Sequence, residues 1–388
     1  MANGVQVRGK SIRIYFRYNG EMCWEPVKGP ATAERIAHYE RLVASINYEI
    51  DTGSFDYARH FPKSAALEQN RFGFYLDLWL GIKRNEVAAS SYRGYVSRVE
   101  NHIRPKWANE LIEDIDHLSL QAWVQDELMP KLHNKTIKDI VSYVGQVFRL
   151  YRTRNRSAHD PVEGIHIRQP DPDEPDPFTR EEIRAILQTP SERQQEVNLA
   201  QFMLWSGPRI SEAIALAWED VDLKSGEVTF RRARVRSQYK VTKTRRSKRR
   251  IKLLRPALEA LQRQYKLTGE LPAVEIGVTD RDNRSVRKQR VRFVFHNEAS
   301  GRAYSTADNY RNGWWNAHLE KAQVRHRGPN QCRHTFASQM LSSGKVTVDW
   351  VADQLGHTST QMVWRHYGKW INEDGPDMAK LVEAALGL

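Results

Sequence analysis

Two kinds of hydrophobic patterning follow one another along the first part of the chain. In SIRIYFRYNGEMCWEPV, residues 11–27, Ile12, Ile14, Phe16 and Tyr18 alternate with Arg13, Tyr15 and Arg17, and Asn19-Gly20 is the pair a tight hairpin turn asks for. The spacing predicts a small sheet with one apolar and one basic face. After Pro30 the period lengthens, and Ile36, Tyr39, Val43, Ile46 and Ile50 predict a helix that Gly53 stops. From about 65 to 160, FYLDLWL, SYRGYVSRVENHI, LSLQAWVQDEL and TIKDIVSYVGQVFRLY all carry 3.6-type spacing and predict an all-helical region.

The pattern then breaks. In QPDPDEPDPFTREEI, Pro170, Pro172, Pro175 and Pro177 interleave with acids, which excludes a regular helix or a central strand. At polyproline pitch, residues 169–178 reach roughly 30 Å, enough to lead the chain around a ligand rather than across it. Thr179 and Glu182 have capping-box spacing, with Phe178 and Ile183 at the staple positions, so a new domain starts there.

Helices are expected at about 180–188 and 194–205. Gly207-Pro208 is a break that places Arg209 in the first turn of a further helix, with Ile210, Ile214 and Ala217 facing inward. GEVTFRRARV and KRRIKLL predict a pair of strands flanking a basic segment. LRPALEALQRQY, NYRNGWWNAHLEKA, RHTFASQMLSSG and VDWVADQLG predict helices, the last two ended by Gly344 and Gly356. In the tail MAKLVEAALGL, Met378, Leu381, Val382, Ala385 and Leu386 form a stripe fit to dock on its own domain or a neighbour.

The expected fold class is therefore multidomain α+β. A small sheet-plus-helix module spans 1–62 and an all-helical domain 63–168. A Pro/Asp linker at 169–178 leads to a mainly helical domain with a small antiparallel sheet over 179–388.

Charge sharpens this picture. The 388 residues carry 60 Lys and Arg against 47 Asp and Glu, a net charge of +13. Between Arg231 and Lys252, 12 of 22 residues are Lys or Arg and none is acidic. Such a segment repels itself unless an anion lies beside it, and nucleic acid leads the list of partners. Arg8, Lys10, Arg13 and Arg17 on the first module, Arg93 and Arg98 with Arg104 and Lys106 on the helical region, and Arg245, Arg246 and Lys248 in the basic segment are candidate DNA contacts. Solvated surface charge is the ordinary reading of each. Cys23 and Cys332 stand far apart in no metal-like spacing, which argues against a disulfide framework. An N-terminus without an apolar signal core, and no run of 18 apolar residues, lead to the expectation of a soluble cytoplasmic protein with no membrane partner.

Phosphoryl transfer without a metal needs a nucleophile, cations that grip the non-bridging oxygens and a proton donor for the leaving oxygen. Arg209 and Arg333 each offer a planar fork, Lys243 an ammonium beside the strand pair, and His357 a ring just past a helix-ending glycine. In GHTSTQMVWRHYGKW, Tyr367 is the candidate nucleophile. A free phenol is ionised in only roughly one molecule in a thousand at neutral pH, so it needs cationic neighbours and a base. By residue type alone each has a plain alternative: Arg209 a surface arginine, Lys243 one of twelve solvated cations, His357 a capping histidine, Tyr367 a packed aromatic. Lys240 and Lys248 replace Lys243 if the strand register differs.

Taken together, SGPRISEAIALAWEDVD, VTKTRRSKRRIKL, NQCRHTFASQML and LGHTSTQMVWRHYGKW resemble, in order and separation, the motif set of the tyrosine recombinase (phage integrase) family. The likeness covers residues 178–370 specifically. The helical region is similar to the family's core-binding domain, and the first 60 residues resemble the arm-binding module of prophage and phage integrases. The resemblance implies that Arg209 and Arg333 clamp the phosphate, Lys243 is the general acid, His357 hydrogen-bonds the phosphate, and Tyr367 is the nucleophile. Glu212 falls at the acidic support position. One position departs: where the family most often has histidine, three residues before the second arginine, this chain has Asn330, which can donate a hydrogen bond but cannot shuttle a proton. His334 belongs to the packed RHTF turn in this pattern.

A site-specific recombinase follows as the expected function, with integration or excision of a prophage or mobile element through a 3′-phosphotyrosyl bond. The implied partners are double-stranded DNA attachment sites, sister protomers in a tetramer on DNA, and a directionality factor or DNA-bending protein. Neither cofactor nor metal is implied, and the expected location is the nucleoid of a bacterial or phage-infected cell. A DNA-binding regulator without chemistry and a type IB-like topoisomerase are the competing readings. A metal-dependent nuclease built on His326, His334, His357 and His366 lacks any familiar ligand spacing.

Overall fold

The computed structural model describes residues 4–9, 11–18, 20–62, 64–156, 158–170, 174–242, 248–357 and 359–367, together with Glu383. Internal contacts divide the chain into two units, Met1–Pro170 and Asp171–Leu388.

In the first unit the alternating segment forms an antiparallel sheet, β1 (Val5–Arg8), β2 (Ser11–Tyr18) and β3 (Glu21–Val27), in that order. Because strand side chains alternate, Ile12, Ile14 and Phe16 are buried while Arg13 and Arg17 are exposed. The buried face packs on the helix Ala33–Asp51 through Val43 and Ile46. Tyr18 pairs with Glu21 and Gly20 has φ +82°; Asn19 lies outside the described residues. Phe55, Tyr57 and Phe61 surround Phe16, and the Tyr57 hydroxyl donates to Glu25 at 2.7 Å.

The helical region builds its own core. In the helix Asn134–Arg152, Ile137, Ile140, Val141, Val144, Val147, Phe148 and Tyr151 are buried at the three- and four-residue intervals of one helix face. They meet Phe72, Leu76 and Trp79 of Phe72–Glu86, together with Ile103, Trp107 and Trp123.

The second unit begins with the linker's end pinned down. Thr179 and Glu182 form the capping box of the helix Arg180–Gln188. The Phe178 ring lies buried against Trp315 at 5.9 Å, the Arg327 guanidinium sits 4.8 Å above it, and its backbone N–H donates to Thr335 Oγ1. Behind this corner a core runs through the helices Gln194–Ser206 and Arg255–Thr268.

Several sequence expectations give way to tertiary pairing. Arg209 is the N-cap of a short helix, Ile210–Ala213, rather than a first-turn residue. The helix stops early because the following backbone finds other partners: Leu216 accepts from the Val294 N–H and the Trp218 N–H donates to Arg292. The expected strand pair is present as β5 (Glu227–Phe230) with β8 (Arg249–Lys252), flanked by β4 (Val221–Asp222). The segment expected as one strand, 226–235, divides at Arg231, and its second half, β6 (Arg232–Val235), forms an unforeseen hairpin with β7 (Gln238–Val241). Its turn is Arg236-Ser237, both at positive φ (45° and 65°), so the usual Asn or Gly signal is missing. A further hairpin, β9 (Val274–Thr279) with β10 (Val286–Val291), completes a four-stranded sheet in the order β10-β9-β7-β6. The β7–β9 pair runs parallel, so this second sheet is mixed, while β4-β5-β8 is the small antiparallel sheet that the sequence predicts. Residues 243–247, which include Lys243, Arg245 and Arg246, lie outside the described residues, as do Lys10 and the tail stripe.

Truncating Phe178 removes a buried ring packed against Trp315 and Arg327. Phe178→Ala is expected to destabilise the second unit by about 3–5 kcal/mol, and Thr179→Ala by about 1 kcal/mol, in urea unfolding followed by tryptophan fluorescence.

Candidate active site

A close approach between backbone and core opens the site. Gly207 ends the helix Gln194–Ser206 at φ +67°, and a Cβ there would meet Phe336 at 2.6 Å and Leu355 at 2.9 Å. Glycine thus lets three helix ends converge, and Arg333 sits where they meet. It lies in the first turn of the helix Gln331–Ser342, only 6 % exposed, donating to the Gly207 carbonyl at 3.0 Å and the Leu355 carbonyl at 2.7 Å. Burial, reinforced by Arg209 and Arg249, lowers its pKa to about 9, so the guanidinium stays charged at neutral pH.

Glu212 organises the neighbouring cations. Its carboxylate, 3 % exposed, accepts from the Arg209 backbone N–H at 3.0 Å, from Arg209 Nη1 at 2.9 Å and from Arg249 Nη2 at 3.0 Å. Burial pushes its pKa up, but Arg249, Arg333 and Arg209 pull it further down, and the net position is below the ordinary carboxylate value. Arg249 is itself buried over the Phe230 ring at 4.4 Å and donates to the Gln354 carbonyl at 2.6 Å. Among the groups that act on Arg333, two are guanidiniums and Glu212 is the one carboxylate. The centre therefore carries more positive than negative charge, an arrangement that favours an anion.

The helix Val348–Leu355 ends at Gly356 with φ +68°, and the left-handed cap turns His357 back toward the arginines. The His357 backbone N–H donates to the Ala352 carbonyl at 2.9 Å, while its buried Nδ1 has no partner among the described residues. Burial, with Arg333, Arg209 and Arg249 close by, lowers its pKa to about 3, so the ring is neutral near pH 7.

Tyr367 lies on the helix Gln361–Tyr367, where it shares a buried stripe with Val363 one turn earlier. It is 2 % exposed, and its hydroxyl lies 2.7 Å from Nδ1 of His334. Burial raises the phenol to about 12 against the opposing pull of Arg333 and Arg209. Assigning His334 to a packed turn from the sequence missed this contact, which spans 33 positions and depends on how two helices pack. Burial, Arg333 and His366 lower the His334 ring to about 4.

Asn330 precedes this helix; its side-chain oxygen faces the Ile210 N–H at a long 3.5 Å. With Arg209, Arg333 and His334 it lines a cleft of about 500 Å³ that Arg234 and Arg236, not singled out from the sequence, also line. The only cue to them is the basic run itself. Arg209, Glu212, Arg333, His357 and Tyr367 are thus brought together, whereas Lys243 is not described. Of the candidate DNA contacts, Arg8, Arg13, Arg17, Arg93 and Lys248 are exposed. Arg98 is paired with Asp139 at 3.0 Å, Arg104 with Asp77 at 2.6 Å and Lys106 with Glu127 at 2.6 Å. The four histidines of the nuclease reading form no metal-binding group among the described residues.

A model of the phage integrase family matches residues 177–371. A model of an arm DNA-binding domain matches 2–65, and one of the N-terminal SAM-like domain of phage integrases matches 71–129. The chain is 32 % identical to the prophage integrase IntR of Escherichia coli (strain K12), over 100 % of this chain and 99 % of the relative. A Tn1549 transposon integrase in complex with a circular intermediate DNA superposes with a TM-score of 0.64 at 17 % identity, covering 81 % of this chain and 99 % of that one. A lambda integrase from a tetramer bound to a Holliday junction gives 0.57 at 14 % identity, covering 96 % of each. At these identities the solved structures speak to the fold.

The carboxylate of Glu212 offsets charge that would otherwise be buried alone. Because its folded pKa lies below the ordinary 4.5, its stabilisation is present above that pH and is lost as the pH falls further. Glu212→Gln is expected to cost about 3–5 kcal/mol in denaturant melts at neutral pH. The gap to the unsubstituted protein should narrow in buffers more acidic than pH 4.5; a pH-independent gap would contradict the charge argument.

Proposed function

The chain belongs to the phage integrase family of tyrosine recombinases, a site-specific recombinase, and on that premise we propose that Tyr367 is its nucleophile. Tyr367 Oη attacks the scissile phosphate of an attachment-site duplex, leaving a 3′-phosphotyrosyl bond and a free 5′-hydroxyl that then attacks a partner strand. Arg209 and Arg333 grip the non-bridging oxygens, Glu212 holds Arg209 in place, and His357 adds a hydrogen bond to the phosphate. Lys243 gives a proton to the departing 5′-oxygen. The phosphoester bond is conserved in the covalent intermediate, so the cycle draws on no nucleotide or metal. Asn330 contributes a hydrogen bond rather than a proton transfer.

The observation that supports this reading most is a buried tyrosine hydroxyl under the pull of Arg209 and Arg333, in a centre with an excess of positive charge. At the level of domains, residues 1–62 serve as an arm-type DNA-binding module, 63–168 as a core-binding domain and 179–388 as the catalytic domain. The linker lets core-binding and catalytic domains hold opposite sides of the duplex, and Arg245, Arg246 and Lys248 contact backbone phosphates. Four protomers act through a Holliday junction, in line with the tetramer solved for lambda integrase. A directionality factor or DNA-bending protein sets the balance of integration and excision on the chromosome.

Incubating the protein with a nicked duplex of the element's attachment site, located from the direct repeats that flank it, should yield an adduct stable to boiling detergent. Tyr367→Phe is expected to abolish the adduct while leaving DNA binding intact. Arg209→Ala and Arg333→Ala should each slow cleavage by about 10²–10³-fold. Excess chelator should leave the wild-type rate unchanged. Intact binding with no adduct from wild-type protein would favour a regulator.

A further inference from the structure

We propose that His334 is the catalytic base of this enzyme, taking the phenolic proton of Tyr367 on its Nδ1 atom as the tyrosine attacks. The inference rests on the reading of Tyr367 as the nucleophile. Geometry carries it: Nδ1 is 2.7 Å from Tyr367 Oη, within the reach a proton acceptor needs, before any DNA is present. The distance is held by the packing of Phe336 and Leu341, on the helix that bears His334, with Val363 on the helix that bears Tyr367. Asn330, at the position where the family most often has histidine, has no titrating group, and its oxygen is turned toward the Ile210 N–H.

Electrostatics fits the assignment. The charged and titratable groups that act on the His334 ring are Arg333 and His366, with the Tyr367 hydroxyl in contact. The cation and burial keep the ring neutral near pH 7. With the proton on Nε2, Nδ1 offers a lone pair and the phenol O–H donates to it. The phenol holds its proton too firmly to release it in the resting site. Transfer therefore accompanies attack. A bound phosphodiester places negative charge beside Arg333, which offsets the guanidinium and makes the imidazole a stronger acceptor as the substrate arrives.

The step balances. The Tyr367 Oη–P bond forms, the P–O5′ bond breaks, the phenolic proton moves to Nδ1, and the 5′-oxygen takes a proton from Lys243. Religation reverses each transfer: the incoming 5′-hydroxyl returns its proton to Lys243, and the His334 imidazolium reprotonates Tyr367.

Single-turnover cleavage of the nicked duplex, followed from mildly acidic to mildly alkaline buffers, tests the assignment. The wild-type rate should vary little across this range. His334→Ala is expected to lose about 10²–10⁴-fold in cleavage, to gain a rate that climbs toward about tenfold per pH unit, and to recover with added imidazole. His334→Gln, which keeps the side-chain bulk and polarity, should show the same loss without imidazole rescue while melting and binding DNA as the wild type does. An unchanged rate in either variant overturns the proposal. So does a loss in His334→Ala with an unaltered pH profile and no response to imidazole, because that marks a structural role. An adduct that persists in Tyr367→Phe overturns the underlying reading instead.

Discussion

The second unit depends on one buried carboxylate among arginines. Glu212 binds Arg209 and Arg249 directly and lies within the field of Arg333. Isolated buried charges are expensive, and here one carboxylate offsets only part of the cluster. The remainder is stored electrostatic potential in a site lined by Gly207, Leu355 and the helix ends that hold Arg333. In the proposed reaction a phosphodiester would complete the charge balance, so binding and preorganisation of the arginine pair would have the same physical origin.

That potential also explains the state of the neighbouring groups. Arg333 and burial keep His334 and His357 neutral, so each retains an unprotonated ring nitrogen at physiological pH. Tyr367 meets the opposite balance: burial outweighs the same arginines and keeps its phenol protonated.

Local features were legible in the sequence because their causes are local. The Thr179–Glu182 capping box, the Gly356 cap and the i,i+3 relation of Arg209 to Glu212 all follow from short-range backbone geometry. The order of motifs placed Arg333, His357 and Tyr367 in one site. Contacts set by packing over distance were not legible. Arg249 read as one cation in a basic run, although it reaches Glu212 across 37 positions. The β6–β7 hairpin hid behind an Arg-Ser turn, and β9–β10 was passed over because β10 is apolar only at Val286 and Val291, although Val274, Ile276 and Val278 of β9 do alternate. His334 was read as part of a packed turn, and its contact became visible only when two helices brought a ring nitrogen to the tyrosine oxygen.

The central claim is that Tyr367 becomes covalently joined to DNA in this electrostatic setting. The direct measurement is tandem mass spectrometry of the detergent-stable adduct after nuclease and trypsin digestion. The account predicts a nucleotide attached through its 3′-phosphate to Tyr367. A nucleotide carried on any other side chain would contradict it.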